Sequence, residues 1–375
     1  MKFFKMTYMA LALGTNLICA ALMVIASYGY LISPIRSVVP SYLGLAFPFF
    51  LIANIIFIIF WALQRKWWFL ISLIVLLACN RSINDYTPFH RTAKEQASKD
   101  SLTILTYNVN SFDALTPHTH EHPNKIIEYI ARSGADIVCM QEFACGDDRS
   151  MISEKQIDKG LSDYPYHIFS EKSKTPYSKS GIACYSKYPI IESREIVFGN
   201  STYNSSWLYK INVNGRILTL INNHLESNKF TSGDRELYQY MIKHLETNML
   251  GQFKERLVQK MGVAYKLRSI QAEQIANEIK NAGENIIVCG DFNDIPQSYT
   301  YRKVRGKLND AYVATGFGPG ITYNKNMFWF RIDHILYGKT LKAVSTHIGD
   351  IKASDHYPVK ATLVWNDNIE NKNNP

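Results

Sequence analysis

The sequence predicts a mixed α/β domain preceded by an apolar helical region. Three observations carry this. Thr7 to Cys79 is rich in Leu, Ile, Phe and Ala, with only Arg36, Arg65 and Lys66 charged. Beyond Ser101, short apolar runs of strand length alternate with helical periodicity. Polar side chains able to do chemistry then stand at the ends of those runs, where loops converge while the strands hold them in place.

Taken in order, Thr7 to Ile32 is long enough to span a bilayer, which needs about 20 apolar residues. Leu43 to Leu63 is a second candidate, and Trp67 through Ile83 a third, with Trp67 and Trp68 at the interface. The first run is too long for a cleaved signal, and further apolar segments follow it. Lys2, Lys5, Arg65 and Lys66 belong on the cytoplasmic side under the positive-inside rule; Arg36 and Arg81 go against it. Three spans in residues 1–83 would put the remainder on the outer, periplasmic side of a cell membrane; two would leave it in the cytoplasm. Residues 84–100 are polar, contain Pro88 and read as a tether. Residues 101–365 read as the folded domain and 366–375 as a polar, Asn-rich tail.

Within the domain, strands are expected at Leu102 to Tyr107, Asp136 to Met140, Gly181 to Tyr185, Ile217 to Asn222, Ile286 to Cys289, Ile332 to Tyr337 and Tyr357 to Val364. Helical spacing marks Asn124 to Arg132 and Ser269 to Lys280. Asp234 to Lys266 is a charged amphipathic insertion, expected as a helical pair on the sheet edge.

The whole chain has 41 basic and 32 acidic residues. Residues 1–99 hold nine of the basic and two of the acidic, so the rest carries a net charge of only +2. That average lacks the strong positive excess of a protein gripping long nucleic acid without specificity. The six cysteines show no metal-ligand spacing and read as free thiols.

The strand ends carry Asn108, Glu142 after Gln141, His224, Asp291 with Asn293, Asp333 and His356. Phosphodiester hydrolysis needs an activated water, charge neutralisation at phosphorus and help for the leaving oxygen. Mg²⁺ suits hard oxygen ligands and keeps several waters, so one or two carboxylates suffice, and Glu142 is the natural candidate. Asp291 and Asn293 can take a proton from a water and orient it. His356, held protonated by Asp333, can donate to a phosphate oxygen, with His224 as a second imidazole. Asp294 and His334 read as turn and packing residues.

Thr106-Tyr107-Asn108-Val109, Gln141-Glu142, Ser180-Gly181-Ile182-Ala183, Asn223-His224-Leu225, Gly290-Asp291-Phe292-Asn293, Arg331-Ile332-Asp333-His334 and Ser354-Asp355-His356-Tyr357-Pro358-Val359 occur in the order seen in the endonuclease/exonuclease/phosphatase superfamily. From about Ser101 to Trp365 the chain resembles that group. The resemblance implies a four-layer α/β/β/α sandwich and divalent-metal phosphoester hydrolysis. It implies Asn108, Glu142 and Asp355 at the metal, His224 at phosphate, Asp291 and Asn293 at the water, and Asp333 orienting His356. Abasic-site endonucleases carry Lys two positions after the metal Glu, where this chain has Ala144. The expectation is a membrane-anchored phosphoesterase using Mg²⁺, with Mn²⁺ as the substitute. Its substrate is a nucleic acid or nucleotide, or alternatively a phospholipid headgroup as in sphingomyelinase-like or phosphoinositide-type members. A non-catalytic scaffold is the rival from another class, disfavoured by the full residue set. The lipid bilayer is the expected partner, and no protein partner is evident.

Overall fold

The computed structural model describes residues 2–90, 100–146, 151–199, 204–228, 250–325 and 328–366. α1 (Lys2–Tyr28) continues through a 3-10 turn, and the resulting helix Phe3–Leu31 is long and apolar enough to cross a membrane by itself. The other two expected spans are broken. The second comprises α2 (Val39–Leu45) and α3 (Phe47–Leu63), bent by 62°. Pro48 accounts for the break, because it lacks the N–H that the Gly44 carbonyl would need in a continuous helix. The third was expected to run unbroken through Ile83. It is instead α4 (Phe69–Ala78) and α5 (Asn80–Tyr86), bent by 68°. Each pair has the length and composition of a span only when taken as one broken unit.

α5 turns toward the α/β domain because its polar side chains find partners there. Asp85 is buried and paired with Arg302 at 2.6 Å and Arg305 at 2.7 Å. The Arg331 guanidinium donates to the Asp85 carbonyl, and Gln297 donates to the Ser82 carbonyl at 3.1 Å. Phe89 bridges Phe317. The start of the expected tether is therefore fastened to the domain; residues 91–99 lie outside the described residues, as does 367–375 of the expected tail.

Two six-stranded sheets make the domain. The first has the order β13 (Leu341–Ile348), β14 (Val359–Trp365), β1 (Ser101–Asn108), β2 (Ile137–Gly146), β4 (Ser178–Ser186), β3 (Tyr166–Lys174). The second has β5 (Ile190–Ile196), β6 (Ser205–Val213), β7 (Arg216–His224), β8 (Ile286–Asp291), β12 (Asp333–Tyr337), β9 (Asn309–Asp310). β10 (Tyr323–Lys325) and β11 (Phe328–Phe330) form a separate hairpin. Ile104, Cys139, Tyr209, Leu220, Cys289 and Ile335 pack between the sheets. The helix Lys125–Arg132, capped by Asn124 and burying Ile126, Ile127 and Ile130, covers the outer face of the first. The helices Leu250–Asn281 and Tyr299–Arg305 cover the second through Ala272, Ile275, Tyr301 and Val304. The result is the four-layer α/β/β/α sandwich, with all six cysteines free.

The strands that the apolar runs did not mark are mostly edges: β3, β5, β9 and β13. An edge strand alternates apolar with charged residues, as in Glu192 and Arg194 of β5, and leaves no continuous apolar signal. Of the insertion Asp234 to Lys266, residues 234–249 lie outside the described residues. From Leu250 one helix continues unbroken to Asn281 and takes in the expected helix Ser269 to Lys280.

Candidate active site

Strand register places three of the expected residues on one rung. β7 and β8 run parallel with His224 opposite Asp291, and β12 runs antiparallel to β8 with Asp333 opposite Asp291. Gly290 has φ +123, and a Cβ there would lie 2.1 Å from the Asn223 carbonyl oxygen, so only glycine lets the two strands close up beside Asp291.

The facing sheet supplies Asn108 and Glu142. Asn108 ends β1 opposite Gln141. Glu142 sits on a bulge between Met140 and Phe143, with φ 50, a left-handed backbone that a non-glycine residue adopts at a cost. The extra residue re-aims the carboxylate out of the sheet's alternation. The Asn108 amide nitrogen donates to Glu142 Oε1 and to Asp291 Oδ2, both at 3.1 Å, and so ties the two sheets together. His224 Nε2 lies 3.6 Å from Glu142 Oε1 and 3.9 Å from Asp291 Oδ2.

His356 completes the cluster. Its Nδ1 is 2.9 Å from Asp333 Oδ2, and its Nε2 is 3.7 Å from Asp291 Oδ2. Burial by itself would discharge this imidazole, but Asp333 and then Asp291 outweigh it and raise the pKa to about 10. Asp291 is raised to about 6, first by burial and then by Asp333, against the pull of His356 and His224. Ligand atoms of Asp291, Asp333 and His356 all lie within 4.8 Å of one another.

Two expected residues stand differently. Asp355 does not join the cluster; its Oδ2 accepts from Lys325 at 3.2 Å, and it acts on His356 only as a more distant charge. Asn108 faces the carboxylates with its amide nitrogen, while its oxygen accepts from the Asn110 N–H at 3.1 Å, so it bridges the acids as a donor. Asn293 lies beside Asp291: its backbone N–H donates to Asp291 Oδ1 at 2.7 Å, and its amide nitrogen donates to the Leu225 carbonyl at 2.9 Å.

Several supporting residues were not legible in the sequence. The Thr322 hydroxyl oxygen accepts from the N–H groups of Ile332 and Asp333 at 3.0 and 3.1 Å, which sets the start of β12. Tyr323 packs edge-on to His356, with ring centres 5.0 Å apart. Arg268, fully buried, holds the Glu226 carbonyl at 2.7 Å and pairs with Asp294 at 3.3 Å, joining the loops after His224 and Asp291. Tyr323 and Arg268 act across long sequence separations, and Thr322 acts ten and eleven residues ahead; none has a local signal. Asp294 and His334 are buried and structural; His334 Nε2 bonds the Asp294 carbonyl at 3.1 Å.

The donors fit a hard divalent cation. Glu142 leaves its side chain 40% exposed at the open end, and Asp333 Oδ1 is buried without a hydrogen-bond partner among the described residues. Oxygen donors with unfilled capacity suit an ion that retains part of its water shell. His356 Nδ1 stands within hydrogen-bonding distance of Asp333 Oδ2, and its ring lies among the same carboxylates.

Residues 105–356 match a family model described as the endonuclease/exonuclease/phosphatase family. Residues 9–86, ending with α5, match a second model described as a domain of unknown function. No curated protein matches the sequence. Among solved structures, an endonuclease/exonuclease/phosphatase from Beutenbergia cavernae is similar at 16% identity, covering 71% of this chain and 72% of that one, with a TM-score of 0.49. The human Nocturnin catalytic domain with bound sulfate is 17% identical over 71% of this chain and 94% of that one, with a TM-score of 0.48. The 3′ phosphatase NExo from Neisseria, bound to a product DNA hairpin, is 16% identical over 70% and 100%, with a TM-score of 0.47.

Proposed function

The chain belongs to the endonuclease/exonuclease/phosphatase family, divalent-metal-dependent hydrolases of phosphoric esters, and from that premise we propose a membrane-anchored, Mg²⁺-dependent phosphodiesterase. The observation that carries the proposal is the convergence of Asp291, Asp333 and His356 within 4.8 Å, joined to Glu142 through the bridging Asn108 amide.

Asp291 takes the proton of the attacking water, which its elevated pKa makes it able to accept. Asn293 fixes the loop that presents it, through the bond to Leu225. His356, held protonated and aimed by Asp333, donates to a non-bridging phosphate oxygen as negative charge grows there. His224 offers a second donor on the same rung, toward phosphate or the leaving oxygen. Glu142 would hold the divalent ion, with Asn108 keeping it and Asp291 in register. When bound, that ion supplies positive charge against the phosphate oxygens.

The apolar helix Phe3–Leu31 supports anchoring. If each bent pair is also one span, the three crossings put Lys2 and Lys5 in the cytoplasm and the catalytic domain on the outer side. A nucleotide ester and a lipid headgroup both offer a diester to this centre. The fastening of Gln297 and Arg331 to α5, which continues from the apolar helix α4, favours the headgroup.

The test uses the full chain in detergent with bis(p-nitrophenyl) phosphate, followed by DNA, RNA, sphingomyelin and phosphoinositides. Hydrolysis should require Mg²⁺ or Mn²⁺ and vanish in Asp291→Ala. A nucleic-acid enzyme would lose affinity steeply with salt, and a headgroup enzyme would respond to bilayer composition. Inactivity on every ester with either metal would leave the scaffold reading standing.

A further inference from the structure

Shortly after Asn108 the chain winds against its natural hand. Asn110, Ser111, Phe112, Asp113, Ala114 and Leu115 all have positive φ, between 42° and 66°. Six consecutive non-glycine residues therefore form a left-handed turn. That hand brings each Cβ against the following carbonyl oxygen, and L-residues ordinarily adopt it one at a time. A backbone so disfavoured persists only where its surroundings hold it.

The turn closes on the bulge that carries Glu142. The Val109 N–H donates to the Gln141 carbonyl at 2.9 Å, and the Phe112 N–H donates back to the Val109 carbonyl at 2.8 Å. Phe112 is thereby brought into the core, where it is fully buried and meets Phe143 edge-on, with ring centres 5.2 Å apart. Phe143 is backed in turn by Phe169 at 4.7 Å. Asn108 itself donates to Glu142 Oε1. Residues 108–112 thus hold the bulge at successive positions: Gln141 by its carbonyl, Glu142 by its carboxylate and Phe143 by its ring.

One side chain fastens the turn. Asn124, buried, donates from its amide nitrogen to the carbonyls of Phe112 and Thr116, both at 2.9 Å. Its amide oxygen accepts from the N–H groups of Ile126 and Ile127 at 3.0 and 3.4 Å, which caps the helix Lys125–Arg132. Both amide hydrogens serve the turn and the oxygen serves the helix, so the two tasks can be separated chemically.

We propose that Asn124 is a positioning residue for Glu142, acting through the left-handed turn and the contact of Phe112 with Phe143. The inference rests on the reading above in which Glu142 would hold the divalent ion. Glu142 stands at the open end of the site on a left-handed backbone of its own, so its aim is set by the packing on either side of it.

The experiment compares the full chain in detergent with Asn124→Asp, which keeps the capping oxygen and leaves at most one donor, and that only when protonated. In the metal-free protein, hydrogen exchange should quicken at 109–116 and 140–143 while the strand β7 stays unchanged. Mn²⁺ alone, followed by electron paramagnetic resonance without any ester, should bind about 10–100-fold more weakly, the usual result of removing a residue that orients a metal-holding side chain. Phe112→Leu leaves the Asn124 bonds in place and shortens the contact with Phe143. It should weaken Mn²⁺ binding in the same direction, and it carries the test if Asn124→Asp does not fold. Unchanged Mn²⁺ affinity in both variants would overturn the proposal, as would exchange quickened only in the helix Lys125–Arg132, which would make Asn124 a helix cap and nothing more. A wild type that binds no Mn²⁺ would instead strike the reading of Glu142, and exchange at 140–143 would then decide by itself whether Asn124 holds the bulge. Ala114→Gly, at an exposed position with φ 57, should raise the melting temperature, because glycine adopts this backbone without the Cβ clash. A lower melting temperature would contradict the left-handed turn on which the proposal stands.

Discussion

His356 keeps its proton because two carboxylates face it, and that fixes how turnover should depend on pH. The reaction needs Asp291 ionised and His356 charged, so kcat/KM should rise through about pH 6 and fall through about pH 10. Asp333→Asn removes the largest charge holding His356 up and should bring the alkaline limb down by more than one pH unit. A limb that stays in place would separate His356 from the chemistry. Asp291 carries a second consequence. Its native pKa of about 6 lies above the ordinary 3.8, so its contribution to stability is fully present below pH 3.8 and lost as pH rises through 6. Asp291→Asn should abolish turnover in the presence of Mg²⁺, yet in the metal-free protein it should be more stable than the wild type at pH 8, by an amount bounded at about 3 kcal/mol. The two should converge in acid. A variant that melts lower at pH 8 would contradict this account.

Among elements, β12 depends on a side chain from outside both sheets. Thr322 accepts from two consecutive N–H groups, at Ile332 and Asp333, just where β12 begins. Thr322→Val keeps the shape and leaves both donors without that partner, at a cost of about 1–3 kcal/mol each where no water replaces it. The displacement falls on Asp333 and thus on the aim of His356. We expect kcat to drop tenfold or more with KM little changed, and stopped assays on bis(p-nitrophenyl) phosphate resolve the split. A rise in KM alone would place Thr322 in binding rather than positioning. The same scale shows what could be read in advance. His224, Asp291 and Asp333 follow or open apolar runs, so their common rung follows from strand order. Glu142 was visible, but its direction depends on a bulge whose left-handed φ no local residue pattern announces. Asp355 pairs with Lys325 of the β10–β11 hairpin, a segment of no apolar periodicity.

At the scale of the whole molecule, the membrane-side helices and the sandwich share one ionic core. Asp85 is the counter-charge to Arg302 and Arg305, and its carbonyl holds Arg331. Breaking such a buried pair commonly costs about 3–5 kcal/mol, because the remaining charges stay desolvated. A fragment beginning at Ser101 lacks this acid, whereas one beginning at Asn80 retains it on α5. The longer fragment should therefore have the higher melting temperature, as calorimetry would show. Equal melting would mean that the arginines find water or other partners once α5 is gone.

The chain's own order of residues determined the strand-end acids, amides and imidazoles, the apolar N-terminal helix and the central strands of both sheets apart from β6. Each is announced by a local run of one chemical character. Tertiary structure alone decided that Asn108 bridges two acids, that Asp355 answers to Lys325, and that α5 bends to bury Asp85 among arginines. Those outcomes rest on pairings between residues up to 246 positions apart, as with Asp85 and Arg331, and a charge finds its partner by distance in space rather than along the chain.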